Sequence, residues 1–372
     1  MMLIHILPHR AQTPDGIGDF ATILAEQLQS HHGCSSIFII CNPAFATILR
    51  DDGFRNIVSA KTSDSLIGIL SDLQKEFSKI TVLLHYSGYG FQKRGAPIWL
   101  VDALKSWKKN NQNIQLISFV HELFALGKPW KISYWIRPVQ MWCTISIAKL
   151  SDHIFSNTKN GIEWMSIYVD KRKISYCPIY STVGEPTVVT SPCNRDNVVI
   201  VFGSIADKPA FYSRRDGVVE KILLEIGCTK LIDIGRRNFE VPQDIAGIPI
   251  EAMGMLEPHE VSTIMQNSKF GIIPQIPYDF EYLCKSTIFA AYAAHGVVPI
   301  VVGTSLAMQS DLSDLMPSEH FLGHALRDKQ FAYDSARYLN IQNNICKWYE
   351  RHRSTTAAAK IAEHILGSVT LS

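Results

Sequence analysis

Several signatures are missing from this chain, and each absence removes a class of function. No CxxC occurs among its eight cysteines, and no Cys/His cluster has zinc spacing. HExxH is absent as well, so no metal is expected. No GxGxxG follows a strand, and no acidic residue at a fitting distance marks a dinucleotide ribose, which argues against a dehydrogenase. No uncharged apolar run reaches the ~18–20 residues of a membrane span. The opening MMLIHILPHR is too short and too lightly flanked for a signal peptide. A formal net charge of only +2 gives no footing for general nucleic-acid binding. Short-period repeats and low-complexity tracts are also missing. Scattered cysteines without a framework fit free thiols in a reducing cytoplasm.

What is present is ordinary in bulk and patterned in detail. The 372 residues suffice for two domains with full cores, and 47% apolar with 19% charged residues is usual for a globular protein. Apolar strand candidates recur at 3–7, 37–40, 81–84, 114–120 and 153–156. Helical patterns such as 19–29 and 65–77 lie between them. The stretch STVGEPTVVTSPCNRDN, residues 181–197, reads as a linker. The alternation then restarts, with strands at 198–202, 230–234, 269–274 and 298–302 and helices around 218–226, 258–267 and 285–295. Such alternation predicts parallel, doubly wound sheets, so two Rossmann-like domains facing a cleft are expected. Residues 332–366 continue in a helical pattern anchored by Trp348 and Tyr349.

Ligands of open α/β sheets bind at the carboxyl ends of the strands, so the loops leaving those ends are the candidate sites. The first, PHRAQTPDGIGDFATILAEQL, carries Gly16 and Gly18 before a helix, where backbone can approach a ligand. The second, HYSGYGFQKRGAPIWL at 85–100, combines glycine with aromatic faces. The third, SFVHELFALGKPWKISYW, places His121 and Glu122 after a continuous apolar strand. A histidine there can donate to a substrate oxygen or move a proton, although a lone one is more often structural. Aromatic and basic residues follow it, Trp130, Tyr134, Trp135, Arg137 and Trp142; they suit core packing or a membrane interface. The fourth, VFGSIADKPAFYSRR, ends a strand at Gly203 and adds Lys208, Arg214 and Arg215. Arg236 and Arg237 follow the next strand. Cations beside a glycine turn are what a diphosphate requires.

The stretch PYDFEYLCKSTIFAAYAAHGVVPIV, residues 277–301, is the most informative. Residues 285–295 contain no Gly or Pro and are rich in Ala, which predicts a helix with Ser286 as N-cap and Gly296 as C-terminal stop. VVPIVV then reads as a buried strand. A helix N-terminus with its unpaired N–H groups can hold a phosphate, and Lys285 adds a charge there. Glu281 can accept hydrogen bonds from hydroxyls. A surface Glu and Lys before an ordinary helix is the plain alternative.

The order of DGIGDFATILAEQL, VHE, VFG, GMLEPHEVSTIMQNSKFGIIP and the 277–301 stretch resembles a retaining glycosyltransferase of the GT-B fold, of the family 4 type, over nearly the full chain. The resemblance implies an acceptor-side domain over 1–185, a nucleotide-sugar-binding domain over 186–345, and a last helix, 346–372, returning to the first. It also implies roles for residues. Glu281 would touch donor-sugar hydroxyls, and the amides near Ser286, with Lys285, would hold the diphosphate. The basic pair falls loosely on Lys208 and Arg214 beside the Gly203 turn. His121 would lie near the transferred sugar. The glycine loop falls on Gly16 and Gly18. Asp19 and His9 are the candidate bases on the acceptor side should the reaction invert. The family's second motif Glu, on the nucleotide ribose, falls on position 289, which is Phe.

The implied activity is transfer of a sugar from a nucleotide-diphosphate sugar to a glycan, lipid-linked or protein acceptor. No metal or other cofactor and no nucleic acid are expected. A nucleotide-sugar epimerase of the same fold and a catalytically silent binding partner in a glycan-assembly complex are the rival readings; Phe289 is the best support for the second. A cytoplasmic chain is expected, with peripheral membrane contact left open.

Overall fold

The structure is a computed structural model. It describes residues 1–45, 49–111, 114–125, 130, 132–203, 205, 208–214, 217–274, 283, 285–302, 322–324 and 334–367. The chain divides into two compact units, one of residues 1–177 with 354–372, the other of residues 178–353. It therefore passes to the second unit at Cys177/Pro178 and returns at Arg353/Ser354. The resemblance put the crossings at 185/186 and 345/346.

The first unit is built on β1 (Met2–Leu7), β2 (Ser35–Ile40), β3 (Arg55–Val58), β4 (Ile80–Tyr86), β5 (Gln115–Val120), β6 (His153–Ser156) and β7 (Ile174–Tyr176). Their order across the sheet is β3-β2-β1-β4-β5-β6-β7, all parallel. The central strands are apolar along their length because both faces are covered. Ile4, Ile6, Ile37, Ile39, Val82 and Leu84 share one core with Leu66, Leu70, Leu104 and Trp107 from helices. Leu7, Phe38 and Ile40 meet Ala21 and Ala25 of the helix Gly16–His32 on the other face. The final helix, Ser354–Gly367, packs beside Gly16–His32. It is tied to β5 by the Gln115 side-chain amide donating to the His364 carbonyl at 2.8 Å.

The second unit repeats the plan. It contains β8 (Asp196–Phe202), β9 (Lys230–Ile234), β10 (Asp244–Ile245), β11 (Ile248–Gly254), β12 (Ser268–Ile273), β13 (Val298–Val302) and β14 (Leu322–His324), in the order β10-β11-β9-β8-β12-β13-β14. Only the short β10 is antiparallel among these strands. Each sheet reverses its winding once, between β1 and β4 in the first and between β8 and β12 in the second. Crevices of this kind are where doubly wound sheets take ligands.

The helix Thr287–His295 packs against β12 and β13. It is apolar on every side, with all residues from Phe289 to His295 buried. Tyr292 pins it over the crevice: its hydroxyl donates to the Ile272 carbonyl at 3.0 Å and accepts from the Phe202 amide at 3.2 Å. The tail expected as one helical stretch is two helices, Ser335–Glu350 in the second unit and Ser354–Gly367 in the first.

Candidate functional site

In the second unit the carboxyl ends of β8, β9 and β12 meet on small residues. A Cβ at Gly203 would come within 2.7 Å of Pro274 Cγ, so the turn after β8 needs glycine for close packing against the end of β12. Gly235, after β9, has φ of +120° and approaches the Gly203 carbonyl. Across the crevice starts the helix Thr287–His295. Its N-cap is Ser286, whose hydroxyl accepts the Phe289 amide at 3.2 Å. The remaining first-turn N–H groups and the helix dipole favour an anion there. Lys285 lies one residue before the cap, half-buried. Arg214, also half-buried, follows the short helix Lys208–Tyr212. Arg236 donates to Met255 Sδ at 3.1 Å, on the loop leaving β11. Glu281 falls outside the described residues.

Lys208 departs from the expected arrangement. It was expected beside the diphosphate, but its ammonium is fully buried. It donates to Asp233 Oδ1 at 3.0 Å and to the Ile234 carbonyl at 2.6 Å. Tyr212 donates to the other Asp233 oxygen at 2.8 Å. Burial lowers the Lys208 pKa while Asp233 pulls it back, and burial followed by the Asp233 charge raises that of Tyr212. The cation therefore compensates a buried carboxylate and fastens the end of β9 under the glycine turn.

Phe289 has a physical explanation too. Its side chain is fully buried and meets Trp348 edge-on, with ring centroids 5.3 Å apart. The position where a ribose-binding Glu was expected is therefore part of the packing between two helices.

In the first unit, the loops after β1, β4 and β5 gather at one edge. A Cβ on Gly90 would strike Pro8 at 2.7 Å, and Ser87 donates to Glu122 at 2.8 Å. Gly18 is required internally, since a Cβ there would reach Asp15 Oδ2 at 2.5 Å; one on Gly16 would meet nothing within 4 Å. Asp19 accepts the Asp15 amide at 2.9 Å and pairs with Arg50, although burial raises its pKa. His9 pairs with Asp15 at 2.5 Å. Both candidate bases are thus engaged in holding their own loop.

His121 ends a chain of side chains that the sequence reading missed. His85 Nδ1 lies 3.3 Å from His121 Nε2, His5 Nδ1 lies 3.0 Å from His85 Nε2, and Ser36 Oγ lies 3.2 Å from His5 Nε2. The chain crosses β2, β1, β4 and the end of β5, sandwiched under Phe20, Phe38 and Phe119. Burial pushes His5 and His121 down to about 3, with Arg10 adding to the effect on His5; burial and its two His neighbours hold His85 well below its ordinary value as well. All three rings are neutral at physiological pH, and a neutral ring donates from one nitrogen and accepts at the other. If Ser36 donates, every His in the row carries its proton on Nδ1; if Ser36 accepts, every proton moves to Nε2. The tautomer that His121 presents at the strand edge is thereby coupled to Ser36. The available signal was one His set in each of three apolar runs, LIHIL, LLHY and FVHE.

No family model and no curated protein sequence matches this chain. Solved structures do match. A trehalose-6-phosphate protein from E. coli, bound with UDP-2-fluoro glucose, aligns with TM-score 0.61 at 10% identity over 98% of this chain and 99% of that one. An alpha-glucosyltransferase in complex with UDP gives 0.57 at 12% identity, over 98% and 99%. A UDP-N-acetylglucosamine 2-epimerase, so described, from Listeria monocytogenes gives 0.53 at 11% identity, over 99% and 96%. With two parallel sheets of doubly wound order and likeness along nearly the whole of each chain, this protein has the GT-B fold.

Proposed function

We propose that the protein is a glycosyltransferase that takes a nucleotide-diphosphate sugar in the second unit and passes its sugar to an acceptor hydroxyl. The observation that carries this reading is the crevice between β8 and β12, where the close-packed Gly203 turn faces the Ser286-capped N-terminus of a buried helix. Backbone N–H groups, Lys285 and Arg214 are suited to the charge on a departing diphosphate, a form of electrostatic stabilisation that works best with fixed donors. In a retaining path the C1–O bond to phosphate breaks and a C1–O bond to the acceptor forms on the same face. The acceptor proton goes to the leaving phosphate oxygen. His121, neutral and with its tautomer coupled to Ser36, is assigned to the transferred sugar on the resemblance alone. Glu281 is assigned to donor hydroxyls on the resemblance alone. The proteins of similar fold bound to UDP and UDP-2-fluoro glucose support a nucleotide-sugar donor.

Phe289 in the core favours one second reading, a nucleotide-sugar-binding protein without turnover. Incubation with a panel of nucleotide sugars separates the possibilities. Slow release of nucleoside diphosphate with otherwise unchanged sugar stereochemistry is expected for a transferase. A C2-epimerised sugar would identify an epimerase, and saturable binding without turnover a silent partner.

A further inference from the structure

The helix Ile132–Leu150 turns an apolar stripe to solvent. Ile132 and Trp135 are 66% and 73% exposed, Trp142 is 47% exposed, and Trp130 just before the helix is 75% exposed. Val139 is exposed between them. Positions 132, 135, 139 and 142 fall on one side of a helix. The other side, Gln140, Cys143, Thr144, Ile147 and Ala148, is buried. A surface helix ordinarily shows charge where this one shows tryptophan and isoleucine, so the stripe is adapted to something other than water.

Charge narrows what that is. From Leu123 to Ser151 the sequence holds Lys128, Lys131, Arg137 and Lys149 and no Asp or Glu. Lys149 is exposed on the far end of the helix. We infer that this stripe docks on an anionic lipid surface, the indoles and Ile132 entering the headgroup boundary while Lys149 meets lipid phosphates. Tryptophan suits that boundary, with one apolar body and one N–H donor. A second copy of this chain is the weaker occupant. A two-fold interface would set each basic, acid-free segment against itself. No helix among the described residues is long and apolar enough to cross a membrane, so the contact is one of lying on the surface. The inference does not depend on the proposed reaction.

The test is sedimentation of the full chain with phosphatidylcholine vesicles, with and without phosphatidylglycerol, at low and high salt. Tryptophan emission and light scattering are followed alongside. The expected result is binding to the anionic vesicles, weakened by salt, with a blue-shifted emission. Ile132→Glu/Trp135→Glu should lower the partition coefficient about tenfold or more at unchanged melting temperature. Trp142→Ser serves as a milder variant should the double one fold poorly. Absence of vesicle binding, or binding that neither variant changes, overturns the inference. So does a concentration-dependent dimer that the double variant abolishes, which would make the stripe an interface between copies.

Discussion

Lys208 shows how one distance changes a residue's meaning. A lysine after a glycine turn reads as a phosphate ligand, yet this one lies fully buried against Asp233. Removing one partner of such a pair leaves an uncompensated buried charge, at a cost of about 3–5 kcal/mol. Lys208→Ala should therefore lower the denaturation midpoint sharply while the folded fraction keeps its nucleoside-diphosphate affinity. Lost affinity at unchanged stability would return the ammonium to the ligand. Glu281 and Lys285 are separated by a ligand contrast. Glu281→Ala should weaken a nucleotide sugar and spare the bare diphosphate; Lys285→Ala should weaken both, with salt blunting the effect. A charge-assisted contact is worth roughly 1.5–3 kcal/mol, or about tenfold or more in affinity, which titration calorimetry resolves. Equal loss of both ligands in Glu281→Ala would assign that carboxylate elsewhere, the ribose included. His121→Ala should reduce kcat much more than donor affinity, and the kcat profile should show no inflection near pH 6.5 from this ring, which burial holds at about 3.

At the scale of the element, the helix Thr287–His295 was the most legible part of the chain. Ser286 caps it and Gly296, at φ +66°, ends it, because both signals act within one turn of the backbone. Its surroundings were not legible. Phe289 resembles a lost ribose contact in a motif comparison, whereas packing on Trp348 makes it core. Phe289→Glu should thus fail to restore nucleotide affinity and instead destabilise by several kcal/mol, since a buried carboxylate would have no partner. A thermal melt beside a nucleotide titration reads both outcomes; a stable variant with tighter binding would contradict this placement. The short strands β3, β7 and β10 were also missed. At two to four residues they carry no period of their own and exist because a neighbouring edge pairs with them. The tail pattern was read as continuous, but the chain turns at Arg351–Arg353, where His352 stacks on Trp348 at 3.7 Å.

At the scale of the whole molecule, the buried histidines set a pH limit. His5 and His121 titrate at about 3 in the folded chain and His85 well below its ordinary value, against ~6.5 when unfolded. Below pH ~6.5 the unfolded chain binds protons that the folded chain refuses, so stability is complete above that pH and falls as acid is added. Each ring that stays neutral in the folded chain contributes at most about 1.4 kcal/mol per pH unit below that point. The melting temperature should drop steeply between about pH 6.5 and 5. His85→Phe should melt lower at pH 7 but with a shallower pH slope; an unchanged slope would mean that the row does not resist protonation. By itself the sequence determined the two-fold α/β alternation, most central strands, the helix caps and the loops in which ligand chemistry is sought, because each depends on neighbours within a few residues. Only the tertiary structure decided that Lys208 belongs to Asp233, that Phe289 belongs to Trp348, and that three histidines from separate strands form one hydrogen-bonded row with Ser36. Those partners lie 25 to 80 residues apart in sequence, and what unites them is the stacking of parallel strands about 5 Å apart, a register that no local pattern records.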